Sequence, residues 1–287
     1  MDSRGRQAGR VLVKKTIYTL CVNDYEPAIR ELTFPLIQHY ADKIGADFQV
    51  IKERKFPEWP IVYEKLQLHE LAKDRDWTIF LDADTLVSPE MFDVTDHLGK
   101  DTICQNGKDM AGVRWRYDEY FRRDGRNYGA CNWCTIASDW CRDLWKPLDD
   151  LTPEQAFGRI HITIGEHNSG QCHTEHLIDD FTLSRNVARY GLKTDTITDI
   201  CGRLGWKTPD GKGFSPFLFH MYTISAEEKI KRMLAQLTTP NQVAYFQQQD
   251  GSFGPRPVAQ GQPPAGVGWG LMSAENGAEF RKKWGIK

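Results

Sequence analysis

Two places in this chain put carboxylates where they can do chemistry. The first is Asp82-Ala83-Asp84, which closes the short run Thr78-Ile79-Phe80-Leu81. An apolar run that stops at acid reads as a buried central strand whose carboxyl end opens into a cleft. In an extended chain residues i and i+2 project from one face, so both carboxylates can point at one cation. Hard divalent cations prefer oxygen ligands, and Mg²⁺ is commonly held by one or two carboxylates plus substrate phosphates. The spacing therefore implies capture of a metal-bound diphosphate, with Mn²⁺ or Mg²⁺ as the ion. The ordinary alternative is an acidic turn, but the buried strand before it and the small Ala83 favour the metal. The second place is Asp179-Asp180, at the start of a helical pattern. Adjacent carboxyls raise each other's pKa, which suits a base that takes up a proton. The same acids also suit a helix dipole with no chemistry at all.

These acids need elements to hold them. A strand is expected over residues 11–21 and a helix over 26–44, stopped by Gly45 and kinked or divided at Pro35. A strand over 47–52, a helix over 62–73 and the strand 78–81 follow. That alternation is the pattern of an α/β fold with parallel neighbours. In such sheets ligands bind beyond the carboxyl ends of strands, so Cys21 and Asn23 share a rim with Asp82 and Asp84. Farther along, a short helix is expected over 88–98 and short strands over 101–104 and 111–115. A helix over 173–193 has Thr174 as its cap and Gly191 as its stop. The apolar strand 215–222 is interrupted by His220, and the helix that follows carries Lys229, Lys231 and Arg232. Residues 240–270 are rich in Pro, Gly and Gln and read as a loop or tail, before a last short helix over 273–284. The expected division is a leader over 1–10, one domain over 11–239 and a C-terminal segment over 240–287.

Composition narrows the class. A chain of 287 residues can bury a full core, and its formal net charge of −2 argues against a general polyanion binder. No stretch approaches the roughly 20 apolar residues of a membrane span. The first ten residues lack the apolar core of a signal peptide, and seven cysteines are an odd number. Reduced thiols and a cytoplasmic location are the expectation.

The segment YEKLQLHELAKDRDWTIFLDADTLVSP resembles the centre of nucleotide-sugar-dependent glycosyltransferases of the GT-A fold. There, a helix with an early Lys precedes the strand that ends in D-x-D. DDFTLSRNVARYG resembles the acidic helix motif of the same family, and the likeness extends over roughly residues 15–222. It departs from the motif in having Asp179 where Glu is usual and Arg185 one place early. The resemblance implies a Rossmann-like, mixed, mostly parallel sheet flanked by helices. It implies transfer of a sugar from a nucleoside diphosphate donor, foremost a UDP-sugar, to an acceptor hydroxyl. Thr19, Cys21 and Asn23 would line the nucleotide pocket, with Lys65 facing the base or phosphates and Asp82 touching the donor. Asn127 and Gly129 would floor the sugar pocket, where a glycine lets the sugar approach the backbone closely. His220 would join Asp82 and Asp84 as third metal ligand, although a lone His in an apolar run is more often a core residue. Asp180, with Asp179 beside it, would take the acceptor's proton, and the anomeric centre would invert.

Rival classes are weighed against the same residues. A nucleotidyltransferase usually opens with a Gly-rich basic signature after its first strand, and CVNDYEPAI has none. A non-catalytic sugar-binding module would not require two acids at a strand end and two more on a helix. A nucleotide-sugar hydrolase differs in forming product without an acceptor. The acceptor stays open between a glycan, a small molecule and a hydroxylated base in nucleic acid, the last motivated by the Arg/Tyr-rich residues 114–128. A zinc cage from Cys131, Cys134, Cys172, His173 and His176 is a weaker pattern, because i and i+3 in a strand face opposite sides.

Overall fold

The computed structural model describes residues 13–107, 116–117, 133–169, 173–204, 217–221, 224–239, 245–247, 253–255 and 269–287. Its strands in chain order are β1 (Lys15–Leu20), β2 (Ala46–Ile51), β3 (Trp77–Leu81), β4 (Leu86–Val87), β5 (Thr102–Gln105), β6 (Cys134–Ser138), β7 (Lys193–Thr196), β8 (Leu218–Phe219), β9 (Tyr245–Gln247) and β10 (Phe253–Pro255), the last two an antiparallel pair within the stretch expected to be a loop or tail. Six of them form one sheet in the order β2-β1-β3-β6-β5-β7. β6 alone runs against its neighbours, and the other pairings in this sheet are parallel. The chain thus adopts the α/β class and the mixed, mostly parallel sheet expected from its sequence. β3 is buried along its whole length, as a central strand between β1 and β6 with both faces of the sheet covered must be.

Four helices carry most of the covering. They are α1 (Pro27–Ile44), α2 (Ile178–Tyr190), α3 (Ala226–Thr238) and α4 (Ala274–Trp284). α1 runs unbroken past Pro35, which lies on its exposed side, and ends at Gly45 with φ 65°. Only a residue without Cβ takes that left-handed conformation at little cost. One face of the sheet packs Tyr18, Phe80, Ile103 and Ala137 against Phe181, Leu183 and Val187 of α2. The other packs Ile17, Ile79 and Ile136 against Ile37 and Tyr40 of α1. A third cluster joins α1, α3 and α4 through Ile29, Leu32, Met233, Leu234 and Phe280. α4 comes very close to the end of α3: a Cβ at Gly277 would lie 2.9 Å from Thr238 Cγ2. Lys283 Nζ and Trp284 Nε1 reach Glu31 on α1, and the backbone N–H of Lys287 donates to Glu227 on α3. Among the described residues no helix is long and apolar enough to cross a membrane.

Several expectations are corrected. Residues 61–67 form a 3₁₀ helix (Ile61–Gln67) that turns α-helical only over Leu68–Leu71. No helix forms over 88–98. A turn from Ser88 to Met91 and a 3₁₀ turn Val94–His97 capped by Asp93 stand there instead. Thr174 does not cap α2 but begins a 3₁₀ turn, Thr174–Leu177, that leads into it. Of the strand expected over 215–222, the described residues form only the two residues of β8, paired antiparallel with β4. Residues 111–115 lie outside the described residues.

Candidate functional site

The acids of Asp82-Ala83-Asp84 converge through a turn rather than along an extended strand. β3 ends at Leu81, the Asp82 N–H donates to the Trp133 carbonyl, and the Thr85 N–H closes the turn on the Asp82 carbonyl at 3.0 Å. α1 fixes the turn from outside: the Thr33 hydroxyl donates to the Ala83 carbonyl at 2.6 Å. His220, just beyond β8, enters because the β4–β8 pair sets it over the turn, and its ring stacks on Trp133 with centroids 4.7 Å apart. One ligand atom from each of Asp82, Asp84 and His220 lies within 4.8 Å of the others. His220 Nε2 is 3.1 Å from Asp84 Oδ1 and 3.7 Å from Asp82 Oδ2.

The remaining oxygens are held by lysines. Lys65 Nζ sits 3.0 Å from Asp82 Oδ1 and 2.6 Å from Asp179 Oδ2. Lys229, from α3, donates to Asp84 Oδ2, which also receives the Tyr25 hydroxyl at 3.3 Å. Each acid of the pair therefore gives one oxygen to an ammonium and turns the other toward His220. Lys65 is pinned by its own neighbour. Fully buried Glu64 accepts from Arg54 Nε, Gln67 Nε2 and the backbone N–H groups of Lys55 and Phe56, which ties the 3₁₀ helix to the loop before it. Tyr63 adds a stack on Trp59 at 4.1 Å.

The second acid pair lies at the first turn of α2. Asp179 accepts from Lys65 and from the Asp180 N–H, while Asp180 Oδ2 receives the Tyr117 hydroxyl at 2.9 Å. Burial pushes the Asp180 carboxyl up most, and the adjacent Asp179 adds to this. Tyr117, Lys65 and Arg116 oppose the rise, and the result is a value of about 7. At Asp84 burial works in the same direction, but His220 and Lys229 outweigh it and hold the carboxyl well below the usual carboxylate range. Asp82 is raised: burial is the largest cause, Lys65 opposes it, and Asp84 adds to it. For Lys65 burial disfavours the ammonium, yet Asp179 and Asp82 hold its pKa above the ordinary value. A chain of contacts, Asp84–His220–Asp82–Lys65–Asp179–Asp180, thus links the two pairs.

The other expected residues fall as follows. Thr19 and Cys21 are buried at the end of β1, on the rim it shares with Asp82, and the Cys21 N–H donates to the Ile51 carbonyl. Asn23 is exposed with φ 57°, followed by Asp24 at φ 54° and Glu26 at φ 32°. Such left-handed backbone is uncommon outside glycine, and here it turns Tyr25 toward Asp84. Asn127 and Gly129 lie outside the described residues, as do Cys131 and Cys172 of the alternative zinc set. Cys134 is buried within β6, and His173 and His176 are exposed. Lys229 parts company with Lys231 and Arg232, which pair with Glu227 and Glu228 on the exposed side of α3. Sequence reasoning missed Tyr25, Glu64, Tyr117 and Trp133. No local pattern marks them: Tyr25, Tyr117 and Trp133 act across long stretches of chain, and Glu64 acts through the irregular loop just before it.

No model of a known protein family and no curated protein matches the chain. Among solved structures it is similar to a glycosyltransferase involved in the glycosylation of the major capsid of PBCV-1. That likeness has 12% identity and a TM-score of 0.43, and covers 76% of this chain and 98% of the other. It is also similar to mouse xyloside xylosyltransferase 1, with 8% identity and a TM-score of 0.37, over 67% of this chain and 86% of that one. Neither likeness is close enough to carry over the role of a residue.

Proposed function

We propose that the chain is a metal-dependent glycosyltransferase that moves a sugar from a nucleoside diphosphate, foremost UDP, to an acceptor hydroxyl. One arrangement carries this reading: an oxygen from each of Asp82 and Asp84 meets His220 within 4.8 Å, with an acid pair on α2 joined to them through Lys65. The donor set fits the ion. Two carboxylates and a neutral imidazole suit Mn²⁺, and the oxygens facing His220 are those not held by a lysine. Asp82, Asp84 and His220 would hold the ion, which when bound supplies electrostatic stabilisation to the departing diphosphate.

The chain's own residues do the rest. Asp180 accepts the acceptor's proton as the acceptor oxygen bonds to the anomeric carbon. The bond from that carbon to the diphosphate oxygen breaks and its electron pair leaves with the nucleoside diphosphate. A carboxyl poised near 7 is matched to that work at neutral pH. Lys229 supplies positive charge beside Asp84 for the same diphosphate, and Lys65 pairs with Asp179 at the back of the base. Attack from the face opposite the leaving group inverts the anomeric centre.

The test is a panel of UDP-, GDP- and CMP-sugars scored by thermal unfolding with and without Mn²⁺. A ligand bound only by the folded chain raises the midpoint. One nucleotide class is expected to raise it, and only with the metal; no shift from any donor would sink the reading. Product analysis with and without an acceptor then separates transfer from hydrolysis.

A further inference from the structure

Asp180 has one oxygen engaged and one open. The Tyr117 hydroxyl donates to Oδ2, whereas Oδ1 is buried with no hydrogen-bond partner among the described residues. A buried carboxylate oxygen left without a donor is costly, and such an atom in a folded chain calls for a specific reason. Tyr117 is itself firmly placed. It is 2% exposed, and its ring meets Phe181 edge-on with centroids 5.6 Å apart. The neighbouring Arg116 is tied to His161 in both directions, N–H to carbonyl and guanidinium to carbonyl.

We propose that Tyr117 is the positioning residue of this site, holding the Asp180 carboxyl by Oδ2 so that Oδ1 alone meets the acceptor hydroxyl and receives its proton. The proton-accepting role rests on the transferase reading; the Tyr117–Asp180 coupling does not. The charged and titratable groups that act on Asp180 are Asp179, Lys65, Arg116 and Tyr117 itself. Of these, Asp179 raises the carboxyl and the other three lower it. Tyr117→Phe removes one lowering influence and only one oxygen atom, so the ring stays in place against Phe181. A rise of one pKa unit in Asp180 would cut the ionised fraction at pH 7 from about a half to about a tenth.

The experiment has two arms. In the first, the full chain carries ¹³C-labelled Asp carboxyls and is titrated without substrate, with Asp180→Asn identifying the Asp180 signal. The midpoint is expected near 7 in the unaltered chain and higher in Tyr117→Phe. Replacing tyrosine by 3-fluorotyrosine, a stronger hydrogen-bond donor, serves as the second variant and is expected to move the midpoint down. An Asp180 signal unmoved by either change overturns the proposal whatever the reaction. In the second arm, pH profiles are measured with donor and acceptor. Tyr117→Phe is expected to lower kcat, leave the donor KM unchanged and shift the acid limb upward with the titration. A higher donor KM with an unmoved acid limb overturns the positioning role. A shifted titration with no product from any donor supports the coupling and overturns the transferase reading instead.

Discussion

The two acid pairs are made of the same residue, yet Asp84 of one and Asp180 of the other reach opposite electrostatic states. At Asp84 a histidine and a buried lysine overcome burial and keep the carboxyl ionised. At Asp180 burial and the charge of Asp179 win, and the carboxyl rests at about 7 with a phenol as its hydrogen-bond partner. Residue type does not decide which acid holds a cation and which handles a proton; the partners do. Lys65 belongs to both pairs, so it sets the balance between them.

Variants can break or sharpen this contrast. Asp180→Asn is expected to have the largest effect, lowering kcat by about 10²- to 10⁴-fold while donor-dependent thermal stabilisation survives. It also tests the sign of the pH dependence. Asp180's folded value lies above the ordinary one, so its stabilising contribution is full below about pH 4 and is lost as pH rises through 7. The whole loss is on the order of 4 kcal/mol, and the Asn variant should show a flatter fall in melting midpoint between pH 4 and 8. Lys65→Met leaves two acids without their buried ammonium and is expected to cost roughly 3–5 kcal/mol in denaturant unfolding. It should also move the Asp180 midpoint up, because Lys65 is one of the groups that lower it. An unmoved midpoint would mean that the pairs are not coupled. Asp84→Asn should remove the Mn²⁺-dependent part of donor stabilisation, about 2.7 kcal/mol at a hundredfold excess over Kd, in the same thermal assay. Arg232→Ala, on the exposed side of the helix that carries Lys229, should change stability by no more than about 0.5 kcal/mol.

Much of the frame was legible in the sequence because it is written in local periods. β3 reads directly from Thr78 to Leu81, and α1 and α2 from their apolar spacing and the glycines that end them. Tertiary context overrode local pattern elsewhere. Residues 61–67 have helical spacing, but Glu64 and Tyr63 must reach the 53–60 loop and Leu148, and the tighter 3₁₀ winding lets them do so. The stretch 215–222 is apolar enough for a strand, yet among its described residues only Leu218–Phe219 forms one, paired with Leu86–Val87. Of the site, the spacing of Asp82 and Asp84 and the acids at Asp179-Asp180 could be read. That Lys65 would bridge them, that Lys229 would occupy Asp84 and that Tyr117 would hold Asp180 could not. The contacts Lys65–Asp179, Lys229–Asp84 and Tyr117–Asp180 span separations of 114, 145 and 63 residues, over which sequence carries no spacing rule.

The final helix has a practical bearing on how the protein is handled. The α3 helix bears the ammonium that faces Asp84, and its first turn is also where the amide of Lys287 docks. A load applied at Lys287 would therefore act on the same rod that delivers that charge. An attachment point on an exposed loop distant from α3 and α4 would leave the rod unloaded.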